Sequence, residues 1–251
     1  MEKQTNLNFK HFIKKIDLIL PAYNEEESIK KCIKNFESLK IFNSIIVVDN
    51  NSNDKTKSEI EKTNAKYIFE KDQGYGSALM RGIRESSSKY IITCEPDLTF
   101  SHKDIYKFLV YLLEFDCVFG TRTSKSLIQI GAKMNTYLRY GNILVAKLLE
   151  YLFGGPSLTD VGCSYKAFRA SSLKKIINKL NVRGSHFQPE LMIRLIESNL
   201  KIVEIPVFYL KRTGYSKITY SFYSSLTVAI RMLLLIIKLY FIKIFLIIKK
   251  K

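Results

Sequence analysis

The chain opens with a regular alternation of short apolar runs and longer amphipathic stretches. Ile16 to Leu20 is apolar except for Asp17. It reads as a buried strand that stops at Pro21. Asn24 then reads as a helix N-cap, with Glu27 three residues on completing a capping box. Ile29, Cys32, Ile33, Phe36 and Leu39 follow at helical spacing. Ile45 to Val48 predicts a second strand, Asp54 to Thr63 a helix, and Lys66 to Phe69 a third strand. Ser77 to Ser87 reads as helical and Tyr90 to Cys94 as a fourth strand. Ser101 opens a helix through Glu114, before a short fifth strand at Cys117 to Phe119. Strand–helix repetition at this spacing predicts an α/β fold, with a mostly parallel sheet covered by helices on both faces.

The second half is less regular. Leu138, Ile143, Leu144, Leu148 and Leu152 keep helical spacing through residues 126–155, until Gly154-Gly155-Pro156 breaks it. Val161 to Phe168 alternates like a strand, Gln188 to Ser198 reads as a helix, and Ile202 to Phe208 as a strand. Phe222 to Ile248 is almost wholly apolar, interrupted by Arg231, Lys238 and Lys243 and followed by Lys249, Lys250 and Lys251. No internal repeat is present. The pattern predicts a main domain over residues 1–220 and a helical tail over 221–251.

Composition adds a charge asymmetry. The net charge is +17, and from Lys201 to Lys251 there are 10 Lys/Arg against the single Glu204. A basic, apolar tail points to an anionic partner such as a membrane surface. A spanning helix needs ~20 apolar residues with few charges, and a central Arg or Lys costs about 2.5–3.5 kcal/mol on insertion scales. An interfacial basic helix is therefore expected in preference to a full span. The basic residues are not interleaved with aromatics as a single-strand platform requires, so no nucleic-acid partner is expected. Cys32, Cys94, Cys117 and Cys163 lie far apart in apolar contexts and read as buried free thiols. Three scattered histidines do not make a zinc site. The polar N-terminus reads as lacking a signal peptide. The expected location is the cytoplasmic face of a membrane, held peripherally or by one C-terminal anchor.

In an open parallel sheet, ligands bind at the carboxyl ends of the strands. The segments that follow the first four predicted strands are PAYNEE, DNNSND, KDQGYG and EPDLT. Three carry clustered carboxylates and one carries two glycines. Glu95 and Asp97, one residue apart just past a strand, can share a hard divalent cation, Mg2+ or Mn2+, together with phosphate oxygens. Gly74-Tyr75-Gly76 opens a helix whose N-terminus suits a phosphate, although it matches neither a dinucleotide fingerprint nor a P-loop.

Six segments in order carry a resemblance: LPAYNE at 20–25, VDNNSNDKT at 48–56, GYGSALMRG at 74–82, EPDL at 95–98, DVGCSYKAFR at 160–169 and RTGYSK at 212–217. Together the set resembles the family 2 glycosyltransferases, in the branch of dolichol-phosphate mannosyltransferase and polyprenyl-phosphate sugar synthases. The resemblance implies a GT-A-like fold related to the Rossmann type and a nucleotide-diphosphate-sugar donor lying across the strand ends. It places Pro21, Tyr23 and Glu25 in the first nucleotide-contacting loop, and Val47 and Asp49 at the base-binding strand end. Gly74, Gly76 and Pro96 join the donor site, and Glu95 and Asp97 become the metal-binding pair. Asp97, Arg212 and Lys217 form the reaction centre, the two cations holding the diphosphate. Arg122 and Arg139 match ligands of the acceptor's phosphate. Asp49 is expected to accept hydrogen bonds from the base, with Ser52 and Asp54 capping the next helix. The sequence departs from the family pattern at Asn50, often a second aspartate; at Glu95-Pro96-Asp97, in place of Asp-Ala-Asp; and at Thr99, which replaces a metal-binding glutamine.

The implied reaction is inverting, metal-dependent transfer of a sugar to a polyprenyl phosphate. A phosphate monoester has a second pKa near ~6 and arrives ionised, so it attacks without a dedicated base. A sugar hydroxyl acceptor demands a base, for which Glu190 in HFQPE (186–190) is the candidate. The alternatives are a family 2 enzyme acting on a glycan or other lipid, and a non-catalytic basic membrane-binding protein.

Overall fold

A computed structural model describes residues 9–214 and 222–249. In chain order the elements are β1 (Ile16–Ala22), α1 (Ile29–Glu37), β2 (Ser44–Asp49), α2 (Thr56–Ile60) and β3 (Lys66–Phe69). Next come α3 (Tyr75–Glu85), β4 (Tyr90–Thr93), α4 (Ile105–Tyr111), β5 (Cys117–Thr121) and α5 (Thr136–Phe153). The chain continues through β6 (Lys166–Arg169), α6 (Ala170–Lys174), α7 (Phe187–Glu197), β7 (Ile202–Pro206) and α8 (Phe222–Lys249).

Seven strands form one sheet in the order β3-β2-β1-β4-β6-β5-β7. Every neighbouring pair is parallel except those made by β6, which runs antiparallel to both β4 and β5. The continuous apolar runs of β1 and β2 are explained by burial on both faces. Leu18, Leu20, Ile45 and Val47 enter a core with α1 and α4, while Ile19, Ile46 and Val48 enter a second core with α3, α5 and α7. Ile236 and Leu239 bring α8 into that second core.

Three local expectations are corrected. The capping box at Asn24 and Glu27 does not form: α1 begins at Ile29, and Asn24 sits in the left-handed region at φ 53°. The expected 54–63 helix shortens to Thr56–Ile60. The expected strand over 161–168 keeps only its last residues, because Val161 and Gly162 form a turn before β6 pairs. All four cysteines are free and buried.

Candidate active site

The first two strand-end loops are stitched to each other. The Asn24 N–H donates to Ser52 Oγ at 3.0 Å, and the Asn53 N–H donates back to Asn24 Oδ1 at 3.0 Å. The Glu25 N–H donates to Thr56 Oγ1 at 2.8 Å, and the Glu26 N–H to Asp54 Oδ2 at 3.2 Å. Ser52 is thus a loop-to-loop acceptor and not a cap, whereas Asp54 does cap α2 through the Thr56 N–H at 2.9 Å. Stapling these loops orders Glu25 at the cleft, and the start of α1 adds to it: the Ile29 N–H donates to the Glu25 carbonyl at 2.9 Å.

Glu25, Glu95 and Asp97 line one cleft with Arg212. The guanidinium donates one N–H to Asp97 Oδ2 and another to Glu25 Oε1. Asp97 is held on its other side by Thr99, whose N–H and hydroxyl both donate to Oδ1, at 3.0 and 2.5 Å. Leu98, at φ 64°, makes the tight turn that brings Thr99 back onto Asp97. Ser28 donates to Glu25 Oε2 at 2.8 Å.

Three carboxylates share the cleft with Arg212, and burial raises the proton affinity of two of them. Burial pushes Glu25 up to about 7, although Arg212 and the Ser28 hydrogen bond oppose it. Burial, reinforced by neighbouring Asp97, likewise pushes Glu95 up to about 7. Burial disfavours charge on Arg212, but Asp97 and Glu25 outweigh it and hold the guanidinium protonated. A buried acid cluster short of positive charge fits a hard cation. Asp97 and Glu95 would hold it, with the rest of its shell from phosphate oxygens and water. Among the described residues no group of three or more His, Cys, Asp or Glu is arranged to hold a metal by itself.

The cleft encloses about 810 Å3. Pro21, Tyr23, Gly74, Pro96 and Arg122 line it along with the acid cluster. Val47 is buried in the core, and Asp49 is buried too; neither lines the cleft. Asp49 accepts from the Ser52 N–H at 3.0 Å and from the Tyr67 hydroxyl at 3.0 Å. The next residue, Asn50, reaches the cleft and accepts from the Gly74 N–H at 2.6 Å.

The start of α3 is closed by protein. Gly74, at φ 149°, and Gly76 let the 182–184 loop press on the helix, where a Cβ would collide with the Arg183 or Val182 carbonyl. The Ser77 N–H donates to the Arg183 carbonyl at 3.2 Å. These glycines serve a close backbone approach, a role that a helix opening onto a phosphate does not require.

The two candidate acceptor arginines are engaged. Arg122 forms a two-pronged pair with buried Asp160, Nε to Oδ2 and a terminal nitrogen to Oδ1, both at 2.8 Å. It also sits 5.4 Å from the centre of the Tyr209 ring. Arg139 Nε donates to the Thr123 carbonyl at 2.6 Å. Glu190 is buried away from this cleft and accepts the N–H groups of Asn181 at 2.9 Å and Val182 at 2.8 Å. That places it as an anchor of the loop pressed on α3. Lys217 lies outside the described residues.

Glycosyl transferase family 2 matches residues 17–177. The chain belongs to this family. Among curated relatives, a dolichyl-phosphate hexose transferase of Haloferax volcanii is 28% identical over 203 residues, 80% of this chain and 85% of that protein. A protein of Methanocaldococcus jannaschii of uncharacterised function is 32% identical over 200 residues, 76% of this chain and 80% of the other. Among solved structures, glucosyl-3-phosphoglycerate synthase from Mycobacterium tuberculosis with Mn2+, UDP and phosphoglyceric acid aligns with TM-score 0.68 at 17% identity, over 87% of this chain and 76% of that one. A complex of the same enzyme with Mg2+ and UDP gives TM-score 0.69 at 16% identity, over 87% of this chain and 76% of that one. The protein is a glycosyltransferase with the GT-A-like sheet, β6 being its antiparallel member.

Sequence reasoning missed one wall of this glycosyltransferase's cleft. Met134, Leu138 and Val145 from around α5, and Leu226, Val228 and Met232 from α8, also line the cleft. Tyr75 and Gln188 add to its polar lining. Helical periodicity shows that a residue is apolar-facing but not that its partner is a cleft, so no local signal marked these positions.

Proposed function

We propose that the protein transfers a sugar, with inversion and with the help of Mg2+ or Mn2+, from a nucleotide-diphosphate sugar to a polyprenyl phosphate. The transfer takes place at the cytoplasmic face of a membrane. The observation that carries this reading is the mixed lining of the cleft. Three carboxylates and Arg212 share it with apolar side chains around α5 and on α8, among them Leu138, Leu226 and Met232. The charged groups suit a diphosphate and a cation, the apolar ones an apolar acceptor. The relative named as a dolichyl-phosphate hexose transferase supports the same acceptor class. The neighbours solved with UDP and Mn2+ or Mg2+ support the donor and the cation.

The metal, when bound, neutralises charge on the departing diphosphate. Asp97 offers it a carboxylate pre-aligned by Thr99, and Arg212 is positioned to move from the acids to the phosphates. With Glu190 turned away, the chemistry favours an acceptor that arrives ionised, as a phosphate monoester does. Among the described residues no helix is long and apolar enough to cross a membrane. Exposed Tyr137, Leu144 and Tyr151 on α5, with Leu234, Phe241 and Phe245 on α8, support attachment at the bilayer surface. Four unpaired cysteines accord with a reducing compartment.

The test is a melting-temperature panel with GDP, UDP, CDP and dTDP, each with and without Mn2+, in wild type and Asp97→Ala. Transfer from the matching sugar nucleotide to a short polyprenyl phosphate or to 3-phosphoglycerate follows. The reading expects one nucleotide to raise the melting point only with metal and only in wild type, and the lipid alone to be glycosylated. Glycosylation of 3-phosphoglycerate alone would reject the lipid acceptor.

A further inference from the structure

Gln188 is a buried polar group in the cleft that the site described above leaves unused. It lies in the first turn of α7, is 3% exposed and lines the cleft. Its Nε2 donates to the Tyr75 hydroxyl at 2.8 Å. Its Oε1 has no hydrogen-bond partner among the described residues. A buried amide with one end unsatisfied calls for a ligand, because native interiors pair nearly all such groups.

The surroundings say which part of a ligand. Tyr75 is the first residue of α3, and its ring is held against Phe187 at 6.3 Å between centroids. Burial first, and then the nearby Glu95, drive the Tyr75 hydroxyl well above its usual range. The Gln188 amide lines the same cleft as Glu95 and Asp97. Its free carbonyl oxygen is an acceptor and the ionised oxygens of a diphosphate have no hydrogen to give it, so the diphosphate is the wrong match. A neutral hydroxyl fits: it both donates and accepts, and satisfies either end of the amide. Asn50, the cleft residue following the expected base-binding strand end, belongs instead to the β2 side of the cleft.

We propose that Gln188, held by Tyr75, reads a hydroxyl of the transferred sugar and so sets which sugar nucleotide the enzyme accepts. This rests on the transferase reading. A site built to hydrogen-bond one hydroxyl discriminates against donors that lack it or present it with the wrong stereochemistry, because the buried amide is then left unpaired.

The experiment measures, with Mn2+ present, the affinities of wild type and Gln188→Leu for UDP, UDP-glucose and UDP-galactose, and for GDP, GDP-mannose and GDP-glucose. Gln188→Met is the second variant should Gln188→Leu not fold, and the near-ultraviolet circular dichroism of each is compared with wild type. The expected result has three parts. Affinity for the free nucleotide diphosphate stays within about twofold. Affinity for the preferred sugar nucleotide falls about tenfold or more, the scale of one lost buried hydrogen bond. The preference between epimers narrows. Equal losses for the nucleotide and its sugar conjugate, or no loss for either, overturn the proposal while leaving the transferase reading intact. If the panel above selects CDP or dTDP, the comparison is made with that nucleotide and its sugar conjugates; if wild type binds none of GDP, UDP, CDP and dTDP, both readings fall together.

Discussion

Arg212 joins Glu25 and Asp97, residues from two different strand-end loops. Burial outweighs the attraction of Arg212 for Glu25, and of Arg122 and Arg212 for Glu95, and makes both glutamates hold their protons more tightly. Glu25 and Glu95 both sit at about 7 in the fold, above the ordinary carboxylate value of 4.5. A raised folded-state pKa means that the native protein binds these protons more tightly than the unfolded chain. Their stabilisation is fully present below about pH 4.5 and is lost as the pH rises through about 7. The effect is on the order of 2 kcal/mol per group. Other carboxylates, Asp160 among them, are held low and pull the opposite way, so the informative quantity is a difference. In EDTA, the melting point of Glu95→Gln minus that of wild type should rise between pH 5 and pH 8. A flat difference would show that Glu95 titrates normally. At this scale the sequence was informative about Asp97 and Glu95, because two acids just past a strand are visible in one dimension. Thr99 as the brace of Asp97 was not, because its role depends on the left-handed turn at Leu98. Nor did the sequence show that Arg122 would be paired with Asp160, 38 residues away.

The strand–helix alternation through β5 was legible because every strand but the edge strand β3 is buried on both faces, while the helices between them are amphipathic. Strand direction was not legible: β6 alternates as any strand does, and nothing in a period of two encodes parallel or antiparallel pairing. The same limit applies to Glu190, whose place in the first turn of α7 allowed either a base or a helix-terminal acid. Its carboxylate takes two backbone N–H groups of the 181–182 segment, so it holds the loop that closes on Gly74 and Gly76. Glu190→Ala strips both donors of their acceptor and should destabilise the protein by about 2–3 kcal/mol. Glu190→Gln keeps an acceptor and should retain sugar transfer within about tenfold, with a much smaller loss of stability. Thermal melts and initial rates on the two variants separate the roles. A general base would instead leave Glu190→Gln folded and almost inactive.

Among the described residues, most of the exposed large apolar side chains lie on α5 and α8. α8 exposes Leu234 (62%), Phe241 (65%) and Phe245 (64%), and α5 exposes Leu144 and Tyr151. Composition made the tail's chemistry readable, but not that α8 also folds back to line the cleft through Leu226 and Met232. A bilayer surface would cover the exposed residues and bring the apolar cleft wall to the acceptor's depth. Magnitudes say which attraction dominates. Burying one Leu or Phe side chain is worth about 1.5–3 kcal/mol, and one Lys or Arg near an anionic leaflet about 1 kcal/mol. With at least three large side chains exposed on α8 against Lys238 and Lys243 between them, the apolar term leads. Co-sedimentation with vesicles of phosphatidylcholine and phosphatidylglycerol should therefore weaken only partly when salt is raised from 0.1 to 1 M, roughly a threefold shorter screening length. The Phe241→Ser/Phe245→Ser pair should lower the partition coefficient about 100-fold or more, from the two lost burials. Transfer to a water-soluble short-chain acceptor should continue in that variant, since neither phenylalanine lines the cleft. Binding abolished by salt and untouched by the double substitution would leave electrostatics as the anchor and the apolar stripe to another partner, a second copy included.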